Sequence, residues 1–262
     1  MATIHAPASR PVGPVILAPV AAALFQILTP MLPSLGIGAP IGSQSDSVST
    51  LVTPAGWAFA IWGPLYLGTL VFAGYQALPA NRYDPLLARL RWPAAGAFLG
   101  NGLWALYTQS FGLSIVSVAI ILFTLGCLLR AYRTLAAWPT RFSAGARWCA
   151  VLPLSALTSW LTVASTVNIA AALRFHGVDA GGSAPLIAAA VLIVASAIGA
   201  LALLRSAGNP PYALVFLWAL TAIYAAGGST SAPVALAALA GGALIVVATL
   251  IGLVRGGRRK WF

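Results

Sequence analysis

The feature that most limits what this chain can become is a recurrence of apolar runs, each about 20 residues long, with almost no charge inside them. Eight can be read, over 12–34, 54–78, 92–110, 113–134, 148–173, 184–205, 211–226 and 232–254. At ~1.5 Å rise per residue such a run crosses the ~30 Å hydrocarbon core of a bilayer. A helix on the surface of a soluble protein keeps a charged, polar face, whereas these runs have few charges inside them. Charged residues make up only 6% of the chain, against about 25% in soluble domains, too few to cover a surface facing water. The expected fold class is therefore all-α, a polytopic membrane helix bundle of about eight transmembrane helices. The seventh run is the shortest and opens on Pro210 and Pro211, so six helices with a re-entrant segment is the competing topology.

A net charge of +11 would suit a nucleic-acid partner if it formed a patch. Here it is dispersed among the short connections, where positive charge sets orientation. With a cytoplasmic N-terminus, the inner segments hold Arg10, then Arg82, Arg89 and Arg91, then Arg130, Arg133, Arg141 and Arg147, then Arg205, then Arg255, Arg258, Arg259 and Lys260. The outer segments hold Arg174 alone, with Asp46, His176 and Asp179. Both termini are thus expected in the cytoplasm, and no nucleic-acid partner is expected. Residues 14–28 could pass for a signal-peptide core, but the apolar run continues to about Leu35 with no prompt small-x-small cleavage site. It is read as the first helix. Cys127 and Cys149 fall on the cytoplasmic side and are read as packing thiols.

No Asp, Glu, Lys or His lies in the middle of a run, which weighs against proton relays and ion-coupled transport. What the runs do carry is aromatic and amide groups. On the helical rise, Trp62, Trp104 and Trp160 each come out about 12 Å below the outer boundary. Tyr66 and Asn101 come out slightly deeper, and Trp57, Tyr107 and Asn168 nearer the surface. This level cluster predicts an aromatic cavity open outward; ordinary packing is the competing reading, since height does not say which way a ring faces. Ser155, Thr158, Thr162 and Ser165 form a polar stripe on the fifth run, of the kind that bonds a neighbouring helix or its own backbone. Gly96 and Gly100 permit close helix contact, within the bundle in preference to between subunits. Trp92, Trp138, Trp148 and Trp261 border inner loops and read as interfacial anchors.

Three motifs in order resemble the tryptophan-rich sensory protein, or translocator protein (peripheral benzodiazepine receptor), family. They are Pro54-Ala-Gly-Trp57-Ala-Phe59-Ala-Ile-Trp62-Gly-Pro-Leu65-Tyr66 in the second run, Asn101-Gly-Leu-Trp104 in the third, and Trp160 followed eight residues on by Asn168 in the fifth. The resemblance is to a longer bacterial branch with extra C-terminal helices. It implies a five-helix membrane domain over 1–175, three additional helices over 176–262, and a bacterial cytoplasmic (inner) membrane location. It further implies a receptor or sensor for a flat hydrophobic ligand of the porphyrin, haem or sterol kind, beneath a lid formed by loop 35–53. The level cluster and the motifs together make the candidate ligand contacts Trp57, Trp62, Tyr66, Asn101, Trp104, Tyr107, Trp160 and Asn168. No catalytic residue, metal or required cofactor is expected. The implied partners are membrane lipid, a hydrophobic small molecule and a second copy of the chain as a homodimer. A small-molecule permease is the alternative. A membrane enzyme, acting on a tetrapyrrole or, through Asp46, His176 and Asp179, on a lipid, ranks below it.

Overall fold

The structure, a computed structural model, describes residues 13–262; Arg10 and the first residue of the first run lie outside the described residues. Every regular element among the described residues is helical, as lipid demands of a chain that must satisfy its own backbone. Seven helical segments are long and apolar enough to cross a membrane: Gly13–Leu35, Gly56–Ala77, Ile115–Ala136, Ala144–Phe175, Gly181–Arg205, Pro210–Gly228 and Ala232–Trp261. They contain α1 (Gly13–Leu28), α3 (Trp62–Ala77), α5 (Ile115–Ala136), the single turn α6 (Ala144–Ala146) leading to α7 (Leu152–Phe175), α8 (Ala184–Arg205), α9 (Pro210–Ile223) and α10 (Ala232–Gly252). The short seventh run is thus a membrane-length helix, completed by a π turn over Tyr224–Gly228.

Outside these seven stands α4 (Pro85–Phe111), less apolar but with 27 residues that reach ~40 Å at 1.5 Å per residue, the length an eighth crossing needs. It is less apolar than the others because it is the hub of the bundle, packed between α1 and α5. Its Arg91, Asn101, Thr108 and Gln109 are buried, while Leu99 and Leu103 stay exposed. Its start corrects the sequence reading, which left Arg89 and Arg91 in a loop. Asp84 caps the helix by accepting from the Leu87 N–H at 2.9 Å, with Pro85 at the first helical position. That pairing is a helix start signal, and it outweighs the apolar boundary at Trp92.

Close packing follows the small residues. A Cβ on Gly100 would lie 2.4 Å from Thr124 Oγ1, and one on Gly96 would lie 2.9 Å from Cys127 Sγ. The Gly pair therefore seats α4 on α5 within one chain. The polar stripe of α7 faces α9: Ser155 Oγ accepts from Asn209 Nδ2, Thr162 Oγ1 from Tyr212 OH, and nearby Ser159 donates to the Tyr212 carbonyl. Thr158, Thr162 and Ser165 also donate to carbonyls of their own helix. Cys127 and Cys149 are free thiols.

Charge divides the two ends. The described basic residues other than Arg174 fall at the end where the C-terminal segment docks. There Gly256 (φ 119°) turns the chain back, and α11 (Arg258–Trp261) is hydrogen-bonded to the ends of α5 and α8. Arg141 and Arg147 both donate to the Phe262 carbonyl, Lys260 to that of Ala136. Trp261 is a correction to its reading as a lipid anchor. It is buried, stacked on Phe142 at 5.5 Å, and its Nε1–H is shared by the Ser206 and Ala207 carbonyls. Trp92 and Trp148 are exposed, as anchors should be. Trp138 lies under the Arg89 guanidinium at 5.6 Å.

Candidate functional site: an aromatic cavity beneath a lid

The end opposite the basic one is covered by residues 36–55. The sequence reading of this stretch as a Gly- and Ser-rich loop is corrected by a short helix within it, α2 (Ile41–Ser47). The lid is pinned at both sides. Gly38 takes a left-handed conformation (φ 74°), which lets Ala39 donate its N–H to the Gln109 carbonyl at the end of α4. At the far side, Ala55 donates its N–H to the Ala222 carbonyl of α9 at 3.0 Å. Gly227 lies so close to Leu51 that a Cβ there would stand 1.9 Å from the Leu51 carbonyl oxygen.

Under the lid, a 3₁₀ turn over Gly56–Ile61 leads into α3 and aims Phe59 and Trp62 inward. The Trp62 ring stacks on Trp104 at 6.4 Å and on Tyr66 at 5.2 Å, and meets Trp160 edge-on at 6.0 Å. Phe59 meets Trp160 edge-on at 6.4 Å. The three tryptophans that share a calculated depth therefore meet in one cluster, contributed by α3, α4 and α7. Such aromatic pairs are worth about 0.5–1.5 kcal/mol each beyond burial.

The cluster borders a small cavity of ≈ 50 Å³. Its walls are Trp62, Trp104, Trp160 and Phe59, the outer turns of α7 from Val163 to Ala171, Ala219 of α9, and Ile41, Ser45 and Pro54 of the lid. No lining side chain is ionisable, so the cavity offers dispersion, stacking and neutral hydrogen bonding. Two of the wall residues carry an unused donor: the buried Nε1–H groups of Trp62 and Trp160 have no partner.

The eight sequence-predicted residues divide evenly. Trp62, Trp104, Trp160 and Asn168 line the cavity. The Asn168 amide is already engaged, accepting from Trp104 Nε1 at 2.6 Å and donating to Ser117 Oγ at 2.8 Å. Tyr66 lies behind Trp62, and Asn101 donates to Gln26 Oε1 at 3.2 Å within a buried amide network that continues to Thr69. Tyr107 pairs with Ser114 Oγ at 2.7 Å. Trp57 turns outward, edge-on to Trp218 at 4.9 Å, and Trp218 donates to the Ala58 carbonyl.

Ile41, Ser45, Leu113 and Ala219 are lining residues that sequence reasoning missed. Phe59 carried a signal, standing inside the aromatic motif; the small and aliphatic ones carried none. Among the outer loop residues, His176 Nε2 accepts the Ile115 N–H at 3.2 Å and Asp179 pairs with Arg174 at 2.9 Å. Among the described residues, no three His, Cys, Asp or Glu side chains are grouped to hold a metal.

A polytopic helical bundle with a lidded, uncharged tryptophan cavity at one end defines a multi-pass membrane protein, and its family match puts it broadly with membrane proteins of the sensor or receptor type. The chain belongs to the TSPO-like protein family, whose model matches residues 15–251 and so runs from α1 through nearly all of α10. No curated protein and no solved structure matches it.

Proposed function

We propose that this protein is a receptor or sensor for a flat, largely apolar ligand carrying a hydrogen-bond acceptor, of the porphyrin or sterol kind. The observation that carries the reading is that Trp62 and Trp160, which wall an apolar cavity, both hold a buried indole N–H without a partner. A buried donor without a partner costs about 1–3 kcal/mol, and a ligand oxygen or ring nitrogen would recover that cost while the indole faces hold its body.

The cavity of ≈ 50 Å³ is far below the roughly 300–1,000 Å³ of small-molecule sites. A tetrapyrrole therefore enters only if the lid lifts, so binding and lid position are coupled. That coupling is what a sensor requires. In this reading residues 1–175 form the ligand-binding bundle, and 176–262 buttress it through Trp218 and Ala219. The basic end faces the cytoplasm and the lid faces outward from the bacterial inner membrane.

A permease needs a path onward, yet inward of the tryptophans the bundle is filled by Phe72, Phe98, Leu154 and Leu157, all fully buried. The test is titration of purified protein with protoporphyrin while following tryptophan fluorescence. Saturable quenching that is lost in both Trp62→Ala and Trp160→Ala is expected. Non-saturable quenching, or quenching indifferent to both substitutions, would sink the proposal.

A further inference from the structure

The lidded end holds a larger cavity than the aromatic one. A cleft of ≈ 890 Å³ opens beside it, between the last turns of α7, the first turns of α8, lid residues 46–56 and the Ala226–Thr230 turn. Pro54 lines both spaces and is the wall between them. The cleft has the volume of a drug-sized site. Its floor is apolar, with Ala170, Leu173, Ile187 and Val191, and its charged side chains are Asp46, Arg174 and Asp179.

Those charges do not cancel. Arg174 Nη1 holds Asp179 Oδ2 at 2.9 Å, and Asp179 Oδ1 accepts the Gly181 N–H at 3.0 Å. The Gly181 N–H, with Arg174 beside it, holds the Asp179 carboxyl below its ordinary range, so the pair stays ionised and mutually neutralised. Arg174 is the one cation at this end among the described residues, and Asp46 pairs with no cation among them. In a chain of net charge +11, this cleft presents an uncompensated carboxylate beside an apolar floor. Low-dielectric walls focus the field of such a charge on whatever enters.

We infer that the cleft between α7 and α8 is a second ligand site, separate from the aromatic cavity, and that it takes a cationic amphiphile. The ligand's apolar body lies on Ala170, Ile187 and Val191, and its ammonium or other organic cation faces Asp46. A lipid ammonium headgroup and a free amphiphilic cation share this chemistry. Anionic amphiphiles are rejected by Asp46, because the only cation in reach is already occupied.

The experiment uses the full chain in uncharged dodecyl maltoside micelles, with rhodamine 6G as the cationic probe and sulforhodamine B as the anionic one. Fluorescence anisotropy is corrected against empty micelles. Saturable binding of rhodamine 6G alone is expected, weakened about five-fold by Asp46→Asn, the scale of one partly exposed charge pair. Ala170→Trp, which fills the floor, removes it. Protoporphyrin quenching in Asp46→Asn stays as in the wild type, so failure here is distinguishable from failure of the aromatic cavity. Adding phosphatidylethanolamine separates the two sources: loss of probe binding assigns the cation to the lipid headgroup, and retention assigns it to a free amphiphile. Equal binding of both probes, rhodamine 6G binding unaffected by Asp46→Asn and Ala170→Trp, or its displacement by saturating protoporphyrin would overturn the inference.

Discussion

Trp104 donates its indole Nε1–H to Asn168 Oδ1 at 2.6 Å, and the same Asn168 amide passes a hydrogen bond on to Ser117 Oγ at 2.8 Å. Ser117 in turn donates to the Ser114 carbonyl at 2.7 Å. One amide thereby ties α4, α7 and α5 together at the level of the tryptophan cluster. It also explains why Trp104 differs from Trp62 and Trp160: its N–H is satisfied within the bundle, and theirs are unpartnered.

Asn168→Leu therefore acts on structure first. It leaves the Trp104 N–H without a partner, and membrane hydrogen bonds of this kind are worth about 0.6–1.7 kcal/mol each. A loss of about 1–2 kcal/mol is expected, read as a lower unfolding midpoint in detergent. Protoporphyrin quenching should weaken while Trp62 and Trp160 still contribute, because their own donors are untouched. An unchanged midpoint would show that the Trp104–Asn168 bond is not formed.

Gly100 tests how α4 meets α5. A leucine there must displace Thr124 Oγ1, 2.4 Å from an ideal Cβ, and the Phe123 ring at 3.1 Å. Overpacking of a filled interface costs about 1–3 kcal/mol. Gly100→Leu is expected to lower the unfolding midpoint by the same amount at all protein concentrations, because the contact is intramolecular. A midpoint that depends on concentration in the wild type, and ceases to do so in Gly100→Leu, would place this glycine at a subunit interface instead.

These two contacts mark what the sequence could and could not show. Length, apolar runs and the segregation of arginines gave the crossing helices, because lipid imposes those properties on each helix separately. Depth arithmetic brought Trp62, Trp104 and Trp160 to one level, because helical rise is a property of the backbone. Which way each ring faces depends on neighbours far away in sequence, so Trp57 and Tyr107, at suitable heights, turned away from the cavity. Arg91 was misjudged for a similar reason. Its three hydrogen bonds, to Gln76 Oε1, the Gln76 carbonyl and the Asn81 carbonyl, let a buried guanidinium lie inside a helix that apolar counting would begin one residue later. Ala219 reaches the cavity only because Trp218 and the Ala222 carbonyl dock α9 against the second span, an arrangement no local pattern encodes.

The lid offers a direct test of coupling. Gly38 sits at φ 74°, and a Cβ on it would stand 2.8 Å from the Gln109 carbonyl oxygen, the atom that accepts the Ala39 N–H. Gly38→Ala must therefore strain the backbone by about 1–2 kcal/mol or release the lid from α4. Release is the cheaper course, because the lid is a surface segment. A spin label at Ser43, exposed on α2, should become more mobile in Gly38→Ala, and protoporphyrin should associate faster. In the wild type, protoporphyrin should itself change the label's mobility. An unresponsive label in both cases would separate lid position from ligand binding.

Orientation is testable with two engineered thiols. The lid lies at the end that carries Arg174 alone, and the remaining described arginines and Lys260 lie at the other, so the positive-inside rule directs the lid away from the cytoplasm. In a background with Cys127 and Cys149 replaced by alanine, Ser43→Cys on the lid should react with a membrane-impermeant maleimide in intact spheroplasts. Thr140→Cys, exposed beside Arg141 at the basic end, should react only after the membrane is permeabilised. The reverse pattern would put the aromatic cavity and the α7–α8 cleft on the cytoplasmic side. Asp46 would then face the cell interior, and the ligands of both sites would have to come from within the cell.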